Sequence, residues 1–312
     1  MLVMPAMFSA ACASTRTCLA NAETNSSSIS FMGPPFQRCS SQTLGLKYVS
    51  SRCTLGLSEA AKCIEATGSR RVVFIGDSIG VQMMYTLLCG LSPIDNRVPT
   101  NNPAMYQEEN RSKYMLRIYK LPTSTPIEVI QLCSKPNSGL AGSVASSLSA
   151  AFDDQLLLEP AVWEVGFGLW HLHMKHAKAH GCENKEMMAL YRVQLHQVLR
   201  VLNDRARGRI FFRDTTAVHP SHMGPDVSSE KRRSFACMNN QAVATLNWEA
   251  QNVTKAFPRV TFAPGYFRAT VNHADHLLQG DIRHYDGVVI QELLHVAYMH
   301  WCNCSHHADA KV

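Results

Sequence analysis

RRVVFIGDSIGVQMMYTLLCGL, Arg70 to Leu91, changes its hydrophobic period once, at a glycine. Val72 to Ile75 form a continuous apolar run of β-branched and aromatic residues, the pattern of a strand buried on both faces. Gly76-Asp77-Ser78 interrupts it, and from Ile79 the apolar positions Met83, Met84, Leu87 and Leu88 recur at helical spacing. A strand that ends in a glycine turn and feeds a helix is half of a βαβ unit. It puts Ser78 at the carboxyl edge of a parallel sheet, beside the free N–H groups of a helix start. Donors in that position can face negative charge developing on a bound carbonyl oxygen. Asp and Ser are also ordinary turn and cap residues, so GDS alone is compatible with a purely structural turn.

Working outward, the same alternation continues. A helix is expected over 56–67 and a polar loop rich in Pro and Asn over 93–113. Strands are expected at Met115–Leu121 and Ile127–Leu132, around the turn PTSTP, followed by a small-residue loop at 134–146 and a helix through Leu158. Ala161 to Val165 reads as a buried strand ending in Gly166-Phe167-Gly168-Leu169-Trp170-His171. A helix over 185–206 carries Met188, Tyr191, Leu195, Val198 and Leu202 on one stripe. Then come a strand at Arg209–Arg213, the loop DTTAVHPSHMGPD, a helix over 234–256, a strand at Arg259–Ala263, the loop 264–287 and a last helix from Val288 to Trp301. This order predicts an α/β fold: a three-layer α/β/α sandwich around a mainly parallel sheet of about five strands. Function in such a sheet belongs to the loops at the carboxyl ends of the strands.

The 312 residues, 46% hydrophobic and 17% charged, are enough for a full core. A net charge of +6 spread along the chain, with only Lys231-Arg232-Arg233 as a basic run, argues against nucleic acid as a partner. No stretch is apolar for long enough to span a bilayer. Eleven cysteines without CxxC pairs argue for disulfides over zinc, and four N-x-S/T sequons occur at Asn25, Asn110, Asn252 and Asn303. Residues 1–22 read as a secretory leader with a small-residue site at Ala20-Asn21-Ala22, although no basic region precedes the apolar part. Residues 23–50, rich in Ser, Pro and Gly, read as a disordered stalk, 51–304 as a single domain and 305–312 as a tail.

An exposed serine needs a base, and the base an orienting group. Asp281-Ile282-Arg283-His284 supplies both at i and i+3, where one turn can place the carboxylate against one imidazole nitrogen and leave the other for Ser78. Standing alone, DxxH equally fits a surface loop. His171, His173, His176 and His180, with Glu183, have the spacing of a zinc site, or of an exposed His-rich loop. Cys302, Cys304, His300, His306 and His307 fit disulfide pairing and a frayed tail better than a metal. Arg213, in FFRDTTAVH, can hold an anionic group or tie loops together.

Taken in order, four blocks resemble the SGNH hydrolase superfamily and, within it, the PC-esterase branch. That branch includes plant trichome-birefringence-like polysaccharide O-acetyltransferases and the sialic-acid and fungal capsule O-acetyltransferases. The blocks are GDSIGVQMMYTLLCGL with Gln82 and Cys89, VGFGLWH, FFRDTTAVH and DIRHYD, spread over residues 70–300. The resemblance implies a flavodoxin-like sandwich and a serine O-acyl esterase or O-acetyltransferase acting on a glycan or other O-acylated small substrate, without cofactor or metal. Ser78 would be the nucleophile, His284 the base and Asp281 its partner, with an oxyanion hole among Ser78, Gly80, Gly166 and Gly168. Gln82, Trp170, His171, Arg213 and Tyr285 would face the substrate, in the Golgi lumen or outside the cell. Two positions depart from the pattern: Gly166 stands where an oxyanion-hole Asn is expected, and Val81 where an Arg often follows the serine. The departures leave a second expectation, a weak or inactive glycan-binding module on the same fold. A third is a metal-dependent hydrolase built on the His171–His180 cluster.

Overall fold

The computed structural model describes residues 64–65, 67–91, 105–121, 126–134, 141–173, 185–225, 227–278 and 281–302. The expected leader, the stalk, most of the 56–67 helix, His176, His180, Glu183 and the tail after Cys302 lie outside them.

β1 (Arg71–Gly76) runs through the middle of a seven-stranded sheet. The sheet is completed by β2 (Tyr106–Asn110), β3 (Tyr114–Leu121), β4 (Ile127–Ser134), β5 (Ala161–Gly166), β6 (Gly208–Arg213) and β7 (Val260–Ala263), in the order β2-β3-β4-β1-β5-β6-β7. The run β4-β1-β5-β6-β7 is parallel throughout, so the sheet is mainly parallel as expected, with seven strands where about five were expected. β3 pairs antiparallel with both β4 and β2, which adds two strands at one edge. β2 falls inside the segment expected to be loop. Its sequence YQEEN buries none of its side chains, so no hydrophobic alternation announces it.

Six of the helices are α1 (Ser78–Leu91), α2 (Ala141–Asp153), α3 (Lys185–Arg205), α4 (Ser229–Ser234), α5 (Asn240–Thr254) and α6 (Tyr266–Thr270). The last is α7 (Gly287–Trp301). Pleating sends Val73 and Ile75 of β1 to one face, where they share a core with Val144, Leu148 and Phe152 of α2, Leu195 and Leu199 of α3 and Leu246 of α5. Val72 and Phe74 go to the other face and meet Met83 and Leu87 of α1 and Val289, Leu293 and Trp301 of α7. The fold is therefore an α/β/α sandwich. Each such fully buried side chain contributes about 1.5–3 kcal/mol by leaving water.

The helix expected over 234–256 is α5, which begins later, where the Asn239 side chain accepts the Ala242 N–H at 2.9 Å; α4 precedes it in what was expected to be loop. The loop after β7 also contains α6 and a short turn of 3₁₀ helix at Ala274–His276.

Candidate active site

The direction of the connections reverses beside β1: β4 lies on one side of it, and β5, β6 and β7 follow on the other. A crevice opens at such a reversal, outside the carboxyl ends of the strands. The ends meeting there are Gly76 of β1, Gly166 of β5 and Arg213 of β6.

Gly76 and Gly166 are partners across the β1–β5 ladder, and Asp77 N–H donates to the Gly166 carbonyl at 3.0 Å. Gly76 has φ +137, and a Cβ there would collide with that carbonyl. The chain thus turns sharply enough to put Ser78 on the first residue of α1. A first-turn N–H has no partner within its own helix. Asp77 caps the helix: its Oδ1 accepts from Ile79 N at 3.2 Å and Gly80 N at 3.3 Å.

Ser78 Oγ lies 2.6 Å from His284 Nε2, although 206 positions separate them in sequence. His284 Nδ1 lies 2.6 Å from Asp281 Oδ2. The other carboxylate oxygen, Oδ1, accepts the backbone N–H groups of Ile282, Arg283 and His284 at 2.7, 3.0 and 3.3 Å, so the tight turn itself holds the acid in place. Burial pushes the Asp281 pKa up, but the hydrogen bond from His284, that imidazole's charge and the Arg283 N–H outweigh it. The carboxyl is held well below the usual carboxylate range. Such a row can move a proton from a hydroxyl to an imidazole and stabilise the imidazolium formed.

The segment carrying His284 is strapped to the helix that carries Ser78. Gln82, one turn after Ser78, donates from Nε2 to the Tyr285 carbonyl at 3.1 Å, and the Tyr285 hydroxyl donates to the Ala217 carbonyl at 2.7 Å. Gln82 and Tyr285 are buried, as is His171, whose Nε2 sits 2.9 Å from Gln194 Oε1. These three therefore brace the site from within, in place of the substrate contacts expected of them. His173 is buried too, against Trp170 and Phe235, while His176, His180 and Glu183 of the expected zinc cluster lie outside the described residues.

Arg213 is the largest correction. It is 1% exposed, and its guanidinium passes over Gly166 to pair with Asp77, reaching no substrate side. A Cβ on Gly166 would run into the Arg213 side chain. The missing Asn at 166 is thus explained sterically: the space belongs to a guanidinium from the neighbouring strand. Burial opposes the charge of Arg213, but Asp77 and Glu164 more than restore it.

Of the expected oxyanion donors, Gly80 directs its N–H at Asp77 Oδ1. The Gly166 carbonyl accepts from Asp77 N–H and from Arg213. Two participants escaped the sequence reading. Asp77 carried a signal, an acid just before a helix start. Arg283 carried none. It is buried with its guanidinium 4.7 Å from the Trp170 ring and 5.3 Å from the Phe235 ring, so one face of Trp170 is covered. Trp170 itself is only partly buried.

No protein-family model matches the chain. It is 23% identical over 225 residues to protein trichome birefringence-like 24 of Arabidopsis thaliana, an alignment covering 65% of this chain and 50% of that protein. The chain thus spans about half the length of that relative. Among solved structures, a lipase/acylhydrolase from Enterococcus faecalis aligns with a TM-score of 0.42 and 13% identity, over 75% of this chain and 96% of that one. An acetylxylan esterase from Geobacillus stearothermophilus aligns with a TM-score of 0.36 and 13% identity, over 75% and 94%. The sequence relationship supports an SGNH hydrolase, PC-esterase-like identification.

Proposed function

We propose that this PC-esterase-like chain is a serine-dependent O-acyl esterase or O-acetyltransferase acting on a glycan. The observation that carries the reading is the unbroken row Ser78 Oγ, His284 Nε2, His284 Nδ1, Asp281 Oδ2, with both gaps at 2.6 Å.

Ser78 Oγ attacks the acyl carbonyl and gives its proton to His284, while Asp281 holds the ring and stabilises its charge. The carbonyl oxygen, now negative, faces the N–H groups of Ser78 and Gly168 at the positive end of α1. Collapse expels the sugar alkoxide, which takes the proton back from His284 and leaves an acyl-serine. Water or a second sugar hydroxyl, deprotonated by His284, then resolves the acyl-enzyme by hydrolysis or by transfer. The residues named need neither cofactor nor metal. Trp170, only partly buried, is the proposed sugar contact.

The relationship to a trichome birefringence-like plant protein fits a secretory setting. Among the described residues no helix is long and apolar enough to cross a membrane. Turnover of p-nitrophenyl acetate and release of acetate from O-acetylated xylan by the wild type and Ser78→Ala test the proposal. Equal turnover by both folded proteins sinks it.

The commitment of the Gly80 N–H to Asp77 favours a second reading, a glycan-binding module with little catalysis. A fluorophosphonate probe separates the two, because only an activated serine is labelled.

A further inference from the structure

A second histidine–aspartate pair stands beside the first. His276 Nδ1 is 2.8 Å from Asp286 Oδ2, and the other oxygen of that carboxylate caps α7 at Val288 N and Val289 N, at 3.0 and 3.3 Å. Asp286 is therefore fixed by the helix it starts. It fixes the His276 ring in turn, with Nδ1–H donated and the Nε2 lone pair pointing away from it. A carboxylate that orients an imidazole from behind is the usual outer partner of a metal-bound histidine.

What lies near Nε2 matches that reading. Asp275 Oδ2 is 3.8 Å away, and one ligand atom each from His273, Asp275 and His276 falls within 4.8 Å of the others. His273 Nε2 is in turn 3.4 Å from Glu292 Oε2, on the second turn of α7. Around a tetrahedral zinc with bonds of about 2.0–2.1 Å, neighbouring ligand atoms are roughly 3.3–3.5 Å apart. The His273–Glu292 gap already has this value. Rotation of Asp275, whose side chain is 77% exposed, and of Glu292, which touches the group through His273 alone, supplies the remaining approach.

We infer that His273, Asp275, His276 and Glu292 form a binding site for a divalent cation of the zinc class. Two imidazoles and two carboxylates suit zinc or cobalt better than calcium or magnesium, which prefer oxygen alone. The site joins the turn at Ala274–His276 to α7. Between them runs the segment that carries His284, which is tied to the same turn by the Leu277–Tyr285 bridge and by Leu278 N–H to the His284 carbonyl at 3.0 Å. A bound cation braces that segment without touching the proposed nucleophile. It is a structural site, independent of the proposed chemistry.

Calorimetric titration of the chelator-treated full chain with zinc chloride tests it, alongside thermal melts and the visible spectrum with cobalt chloride. The expected result is one saturable ion per chain, a raised melting midpoint and the intense visible bands of tetrahedral cobalt. Glu292→Gln and His276→Ala should each weaken binding about tenfold or more. Absence of saturable binding overturns the inference. Binding of undiminished affinity in the folded double variant overturns it as well, because the ion then sits on other histidines.

Discussion

The Arg213 guanidinium, leaving the end of β6, crosses the bare backbone of Gly166 and closes on the Asp77 carboxylate at the end of β1. One ion pair thus joins the ends of β1 and β6 across the intervening β5. Its acid also caps the helix on which Ser78 sits. Removing one partner of a buried pair strands the other charge, which costs about 3–5 kcal/mol. Arg213→Met should lower stability by that order in chemical denaturation, and loosen the Ser78 turn so that kcat falls more than KM rises. A loss below about 1 kcal/mol would show the pair to be dispensable.

Restoring the expected donor at the oxyanion hole should fail. In Gly166→Asn the new Cβ meets the Arg213 side chain, so we expect overpacking to destabilise the fold by about 1–3 kcal/mol with no gain in ester cleavage. A faster, equally stable variant would mean that the guanidinium moves aside readily.

If the proposed chemistry holds, Ser78→Ala should reduce kcat on the order of a million-fold and Asp281→Asn about ten-thousand-fold, the latter through the wrong imidazole tautomer. Both exchanges are nearly isosteric, so melting temperatures should change little beside the kinetics. Comparable loss of stability and rate would assign the residues to the fold instead.

Glu164 is buried beneath the site, accepting from the Tyr266 hydroxyl at 2.8 Å and Trp301 Nε1 at 2.9 Å. Burial raises its pKa to about 7, against the pull of Arg213 and those two donors. A carboxyl raised above its unfolded value, about 4.3, keeps its proton in the folded state. Its contribution is then fully present below that value and is lost as pH rises through about 7. Between pH 5 and 8 the melting temperature of Glu164→Gln should climb relative to wild type. A difference that stays flat with pH would mean that Arg213 keeps Glu164 ionised throughout.

The parallel core was legible because β1, β5 and β6 are buried on both faces and must be apolar at every step. β2 was not, since an exposed edge strand has no such requirement. The three residues at the heart of the site were readable from the order of short blocks, and Ser78, His284 and Asp281 do meet. Their supports were not readable. Gln82, His171, Arg213 and Tyr285 have the polar side chains expected of substrate contacts. Only the packing reveals that each makes an inward contact, with a carbonyl, an amide or a carboxylate. Gly166 looked like a lost donor when its neighbour on the next strand could not be seen.

Ser78 and His284 stand 206 positions apart, and the later one arrives on the segment that leads into α7. A ribosome emitting about 5–20 residues per second therefore releases the serine some ten to forty seconds before its base exists. Through that interval the nascent sheet carries a hydroxyl of ordinary reactivity. On the proposed mechanism, the docking of α7 against α1 switches the chemistry on, so any ester cleavage by Ser78 is also a count of the molecules that finished folding.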